Sequence, residues 1–254
     1  MAIAPVRGAN GRRYVDAMIL AAGRGTRLAP LTDDTPKALI EVGGRTLLEW
    51  VARRLVEAGA DRLIVNVHGH AERIASHLEA LDLGVEVVLS REVERPLETG
   101  GGVLHAAHLF RRAGAFLLHN ADVISEIDFG ALLSAQRESG ALATLAAHER
   151  ETTRFLLFDA DGLVGWENVA TGRSGRARAT RGEVRRLAFA GIHAIDQRFL
   201  DLVEERGAFS ILDPYLRLSA AGERVLPLDV TGSLWLEIGT PERLEAARRV
   251  MGSA

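Results

Sequence analysis

Cysteine is absent from this chain of 254 residues, which excludes disulfides and thiolate metal sites together. Lysine is nearly absent as well: basic charge is carried almost entirely by arginine, and Lys37 stands alone. No apolar run approaches the roughly 18 residues that a membrane-spanning helix needs. The first fifteen residues lack the apolar middle of a signal peptide and read as a short flexible tail. Strong net charge is also missing. A formal charge of −3 and a pI near 6.3 give no field that would gather nucleic acid or an anionic membrane. These absences predict a cytoplasmic protein with neither nucleic-acid nor membrane partners, and none of them fixes an oligomeric state.

What is present is an ordinary globular composition, 47% apolar and 26% charged, able to build a sizeable core. The apolar run from Ala17 to Ala22 reads as a buried strand. Residues 63–67, 85–89 and 116–120 read as three more. Between them, Thr46 with Glu49 has capping-box spacing ahead of the stripe Leu47, Leu48, Val51, Leu55. Further helices are predicted over 71–80 and from Gly100 to about Arg112. This alternation predicts an α/β fold with a doubly wound, mostly parallel, Rossmann-like sheet and helices on both faces. In the second half, strands are expected over 142–147, 155–158, 187–195 and 234–238, with helices near 197–205 and 210–221. Residues 170–186 read as an arginine-rich loop or twisted hairpin. Thr240-Pro241-Glu242 supplies an N-cap, a first-turn proline and an acidic first turn for a last helix. Residues 16–254 are expected to form one domain, with a nucleotide-binding half over 16–135 and an acceptor-binding half over 136–254.

Gly23-Arg24-Gly25-Thr26-Arg27 follows the first strand directly. Two glycines let backbone N–H groups approach an anion, and Arg27 adds a forked donor suited to phosphate oxygens. A tight turn would use the same glycines. A Walker-type loop would need Lys-Ser or Lys-Thr after its last glycine, and a dinucleotide fingerprint would need glycine where Leu28 stands. Pro30-Leu31-Thr32 and Pro36-Lys37 then describe a stiff loop able to bring Lys37 opposite Arg27. Asp122 ends the fourth strand at the same sheet edge, where one carboxylate suits Mg²⁺ held against phosphates; capping a helix or turn is its alternative. Glu237 is an acid inside an apolar strand, costly to bury unless it is paired or metal-bound; on an edge strand, alternation would instead turn it to solvent. Pro96-Leu97-Glu98-Thr99-Gly100-Gly101-Gly102 offers flat backbone at a helix start for a planar base or a phosphate.

The run Leu20-Ala21-Ala22-Gly23-Arg24-Gly25-Thr26-Arg27-Leu28 with Pro36-Lys37 resembles the signature of the sugar-1-phosphate nucleotidyltransferases, G-x-G-[TS]-R-[LM] followed by P-K-P. Ala38 replaces the second proline. Asn120-Ala121-Asp122 is similar to the family's G-D, and Trp235-Leu236-Glu237-Ile238-Gly239-Thr240 to its W-x-D-[IV]-G-T, with glutamate where aspartate is usual. The resemblance implies transfer of a nucleoside monophosphate from a nucleoside triphosphate to a sugar 1-phosphate. It implies a phosphate cradle at Ala21, Ala22, Gly23, Gly25 and Thr26, with Arg27 on the leaving phosphates and Lys37 on the α-phosphate and the acceptor. It further implies base contacts at Glu98 and Gly101, acceptor contacts at Asn168 and Gly191, and Mg²⁺ on Asp122 and Glu237. The P-L-E-T-G-G-G form is similar to that of uridylyltransferases acting on N-acetylmuramate 1-phosphate, enzymes of peptidoglycan recycling. Guanylyl- or uridylyltransferases for mannose, heptose or glucose 1-phosphate remain alternatives, as does a regulatory protein that binds a nucleotide sugar without turnover. Asn168 has a turn role as its alternative. His68 and His70 are expected beside the nucleoside, and the arginines at 173, 176, 178, 181, 185 and 186 on a solvated loop or against an acidic acceptor.

Overall fold

A computed structural model of the protein describes residues 14–111 and 114–252. Most of the tail expected over 1–15 lies outside the described residues, as does the helix end expected at Arg112.

The chain opens with β1 (Asp16–Leu20), a short helix α1 (Leu31–Asp34), the two-residue strands β2 (Glu41–Val42) and β3 (Arg45–Thr46), and helix α2 (Leu47–Glu57). Thr46 caps α2 by accepting the Glu49 amide at 3.1 Å, as the capping-box spacing predicts. Next come β4 (Arg62–His68), α3 (Ala71–Ala80), β5 (Glu86–Glu92), α4 (Glu98–His105) and β6 (Ala115–Asn120). A short β7 (Val123–Ser125) leads to α5 (Phe129–Ser139), a helix absent from the predicted series. Asp128 caps it by accepting the Ala131 amide at 2.9 Å, and Gly140 closes it at φ +62°.

In the second half, β8 (Ala143–His148), β9 (Arg154–Asp159), β10 (Gly162–Asn168), β11 (Arg173–Arg176) and the long β12 (Arg185–Asp196) are followed by α6 (Phe199–Leu202) and α7 (Leu212–Ala220). The chain finishes with β13 (Val225–Asp229), β14 (Trp235–Glu237) and α8 (Pro241–Gly252). The helix expected over 197–205 shrinks to the four residues of α6, and α4 gives way to a 3-10 turn over Ala106–Leu109.

One ten-stranded sheet, ordered β11-β10-β9-β12-β6-β1-β4-β5 with β8 and β13 branching from β12, passes through both halves. Strands β6, β1, β4 and β5 are parallel; β12 joins β6 antiparallel and carries the antiparallel strands of the second half. Alternate residues of β1 and β4 serve opposite faces. Ile19, Leu63 and Val65 pack with α2, α3 and α5, while Met18 and Ile64 pack with α4 and α7. The helices therefore cover both faces, as a doubly wound sheet requires.

The order β5-β4-β1-β6 contains a switch point: the chain winds outward from β1 through β4 to β5, then returns to add β6 on the other side of β1. Ligands bind outside the carboxyl ends of strands at such a point. The loops after β1 and β6 both open there. A third, smaller core of Leu28, Ile40, Val42, Leu47, Ile124, Ile238, Leu244 and Ala247 lies beneath them. Burial of a leucine such as Leu28 contributes roughly 1.5–3 kcal/mol, which anchors the glycine loop to α2 and α8.

Behind this edge, burial depresses the pKa of His119 to about 4 and that of His193 to about 3. Unfolded, both would titrate near 6.5. The unfolded chain thus binds more protons below pH 6.5, so this stabilisation is complete above that pH and is lost as pH falls towards 4. Each histidine can contribute a slope of about 1.4 kcal/mol per pH unit in that window. Urea unfolding between pH 7.5 and 4.5 should show the decline, and His193→Gln should make it shallower; an unaltered slope would assign the decline to other groups.

Candidate active site

The loop after β1 keeps its backbone donors for something other than the protein. Ala21 donates to the Asn66 carbonyl at 3.0 Å and Leu28 to the Gly25 carbonyl at 2.8 Å. Between them, among the described residues, no group accepts from the amides of residues 22–27. Gly25 sits at φ +65°, and a Cβ there would come within 3.0 Å of both Lys37 Cβ and Thr32 Cγ2. The Thr32 hydroxyl donates to the Gly25 carbonyl at 2.9 Å, which ties the glycine turn to the following loop. The turn is shaped by glycine at a left-handed position, and it presents a row of N–H groups of the kind that binds anions.

Lys37 is not a surface lysine. Its side chain is 12% exposed, and its ammonium donates to the Asp122 carboxylate at the end of β6. The glutamate at 237 lies on the strand beside it. β14 pairs with β7 so that Glu237 stands opposite Val123, and the Ile238 amide donates to the Asp122 carbonyl at 2.8 Å. Glu237 has the paired environment that its place in an apolar strand demands. One oxygen lies 3.8 Å from the Arg27 guanidinium and the other meets the Arg243 guanidinium from the first turn of α8. Three cations and two carboxylates thus meet within one crevice.

Two cavities converge on this group. The first, of about 410 Å³, is lined by Ala21, Ala22, Gly23, Gly25 and Thr26 together with Asn66, Pro96, Glu98 and Thr99. The second, of about 650 Å³, extends under β12 and is lined by Arg150, Phe155, Trp166, Asn168, Gly191 and Trp235 among others. Arg27, Asn120 and Asp122 border both. Gly191 has φ +78° in an irregular stretch of β12, and a Cβ there would come within 2.6 Å of Asn120 Nδ2. That position therefore keeps the side chain of Asn120 in the shared wall.

Several expectations change. Gly101 lies behind the first cavity: it is buried, and its amide, like that of Gly100, donates to the Phe209 carbonyl (3.3 and 2.9 Å). Its backbone therefore joins α4 to the 207–211 loop and lies outside the lining of the cavity, whereas Glu98 and Thr99 line it. His68 and His70 stand outside both sets of lining residues, and the His68 ring is engaged by the Glu92 carbonyl at 3.0 Å. The arginines of 173–186 are largely spoken for. Arg178 pairs with Asp159, Arg181 with Asp161, Arg185 with Asp229, and Arg186 with Glu167. Sequence reasoning left Arg243 and Arg150 unassigned. Arg243 had a signal, standing two residues after Pro241 in the last motif, whereas Arg150 had none.

Comparison with known proteins accords with this geometry. Residues 16–168 match the family model described as nucleotidyl transferase. The chain is 35% identical over 251 residues to the N-acetylmuramate alpha-1-phosphate uridylyltransferase of Caulobacter vibrioides, covering 94% of this chain and 97% of that one. It is 34% identical to the protein of the same name from Neisseria meningitidis, covering 93% and 98%. A mannose-1-phosphate guanylyltransferase catalytic subunit beta from Drosophila pseudoobscura pseudoobscura is 31% identical, but this chain spans only 60% of its length. Among solved structures, the inositol-1-phosphate CTP transferase from T. maritima superposes with a TM-score of 0.76 at 19% identity, covering 98% of this chain and 97% of that one. With the phosphate-loop signature, the switch-point crevice and these full-length relatives in agreement, the chain belongs to the nucleotidyl transferase family.

Proposed function

We propose that the protein transfers uridylate from UTP to a sugar 1-phosphate, with N-acetylmuramate 1-phosphate as the acceptor, and releases pyrophosphate. The observation that carries this reading is the meeting of two cavities at Arg27, Asn120 and Asp122. A nucleotide in the first and an acceptor in the second bring their phosphates together only at that wall. The names of the two relatives that align over their whole length support the choice of uridylate and acceptor. The need for UTP assigns the activity to the cytoplasm. Residues 16–135 would carry the nucleotide and 136–254 most of the acceptor surface.

In this reading the triphosphate lies along residues 21–27, beside the unclaimed amides of 22–27, and Arg27 holds the leaving β- and γ-phosphates. Lys37 stands between the α-phosphate and the acceptor phosphate. An acceptor phosphate oxygen attacks the α-phosphorus; the new P–O bond forms as the bond from that phosphorus to the bridging oxygen breaks, and pyrophosphate departs. The attacking oxygen is already ionised, so no general base is required. The protein's work is positioning and charge neutralisation. Glu98 and Thr99 would border the base, with Asn168 and Gly191 along the sugar.

Asp122 and Glu237 fit Mg²⁺ by the chemistry of their donors: two hard carboxylates, one in the turn between β6 and β7 and one on the neighbouring β14, 26% and 21% exposed, beside a place for phosphate oxygens. Bound there, Mg²⁺ supplies positive charge to the α-phosphate and the departing pyrophosphate. Without ligands the same carboxylates face Lys37, Arg27 and Arg243. On substrate binding Lys37, Arg27 and Arg243 would turn to phosphate oxygens, and Asp122 and Glu237 would be the carboxylates left to hold the metal.

Protein incubated with Mg²⁺, UTP and N-acetylmuramate 1-phosphate should release pyrophosphate and form the UDP-sugar, with UTP preferred over GTP. Absence of pyrophosphate release across the common nucleoside triphosphates and a panel of sugar 1-phosphates would end the reading. Lys37→Ala should lower kcat/KM by roughly 100- to 1,000-fold, the usual loss of one charge-stabilising donor. Glu237→Asp should stay metal-dependent and active while Glu237→Ala loses turnover. Activity that emerges only in Glu237→Asp would instead make the natural chain a ligand sensor.

A further inference from the structure

The second cavity contains a cation that the transfer reaction does not use. Arg150 follows β8 and is held from two sides. Its Nε donates to His148 Nε2 at 2.9 Å, and its guanidinium carbon lies 4.4 Å from the centre of the Trp235 ring. Trp235 is itself fixed, donating from Nε1 to the Ala190 carbonyl at 2.8 Å, and the His148 ring meets it edge-on at 5.0 Å. The only other partner found for Arg150 among the described residues is the Glu151 carbonyl, reached by Nη1 at 3.3 Å. No carboxylate is among these partners. The contrast with its neighbours is plain: Arg243 has Glu237, Arg185 has Asp229, and Arg186 has Glu167. Burial, with Arg243 nearby, pushes the Arg150 pKa below the usual arginine value. The cation is thus partly desolvated, near a second cation and without an anion.

A guanidinium presented this way suits one ligand chemistry. Its fork matches a carboxylate bidentately, and rigid anchoring reduces the ordering cost of binding. The acceptor phosphate has Lys37, which lines the first cavity and pairs with Asp122 in the wall shared by both. Arg150 lines only the second, at about 650 Å³ spacious enough for a substituted hexose. We propose that Arg150 is a specificity-determining contact for a carboxylate carried by the acceptor sugar, a second anion apart from its 1-phosphate. The inference rests on the transfer reaction proposed above and adds to it the residue that selects an acidic acceptor. N-acetylmuramate meets the requirement through its lactyl group, whereas N-acetylglucosamine is the same sugar without it.

The test compares those two sugar 1-phosphates with UTP saturating, in the natural protein and in Arg150→Met and Arg150→Lys. For the acidic acceptor, Arg150→Met should raise KM roughly 10- to 100-fold, the scale of a charge-assisted hydrogen bond, with kcat changed far less. The ratio of kcat/KM between acidic and neutral acceptors should collapse, and Arg150→Lys should restore part of it. Equal losses on both acceptors would show that Arg150 merely holds Trp235 and would overturn the proposal, as would an unchanged ratio. A calorimetric arm needs no turnover: UDP-N-acetylmuramate should bind more tightly than UDP-N-acetylglucosamine, and Arg150→Met should erase the difference. That preference, seen in a protein that transfers nothing, would keep the carboxylate site and remove the transfer reaction. Its absence in an active protein would do the reverse.

Discussion

The ion pair between Lys37 and Asp122 governs the reactive edge of this protein. It joins residues 85 positions apart across the crevice where the sheet reverses its order. A lysine this enclosed is tolerated because it is paired, and an enclosed pair is costly to break by removing one partner. The shape of the glycine turn follows from it, since Gly25 must leave room for the Lys37 side chain. So does the direction of the loop through Thr32, and with it the aim of the free amides. An ammonium and a carboxylate that neutralise each other also keep the crevice free of an isolated enclosed charge.

Much of this was legible in the chain before any coordinates. Five elements of the first half announce themselves, four strands by buried β-type runs and α2 by the Thr46 cap, and the glycine pair with Arg27 and Lys37 marks the edge where the crevice lies. Other parts were hidden for physical reasons. Helix α5 had its Asp128 cap and its Gly140 stop, but Gly130 and a short apolar stripe weakened its period. The second half is mostly antiparallel, with β13 parallel to β8, and is built from long-range pairings such as β12 with β8 and β9 that no local period records. At 100–102 the sequence shows flat backbone without showing what lies against it, and at Gly100 and Gly101 that is the Phe209 carbonyl. Arg150 was invisible because its role depends on Trp235, which arrives from the other end of the chain.

Arginine does two different jobs in this molecule. On the outer strands it closes the sheet by pairing with acids, and the charge-rich segment that resembled a binding loop is mostly consumed in that way. In the crevice it is left with partners that a ligand can replace, or with none of opposite charge. Counting basic residues along the chain mixes these two populations. The partner of each guanidinium separates them: acids hold Arg178, Arg181, Arg185 and Arg186 at the outer sheet, while Arg150 and Arg243 stand in the crevice.

The last segment has a consequence for how the protein acquires its chemistry. Strand β14 adds to β7 outside the main sheet, and α8 then covers the small core under the phosphate loop. The ten-stranded sheet and its two large cores are built almost wholly from residues before Ser233. Glu237, Arg243 and the Trp235 ring that stacks on Arg150 therefore reach the crevice from one segment that adds little to the main sheet. A nick in the loop between Asp229 and Trp235 would leave the ten-stranded sheet its own pairings while uncoupling these three side chains from it.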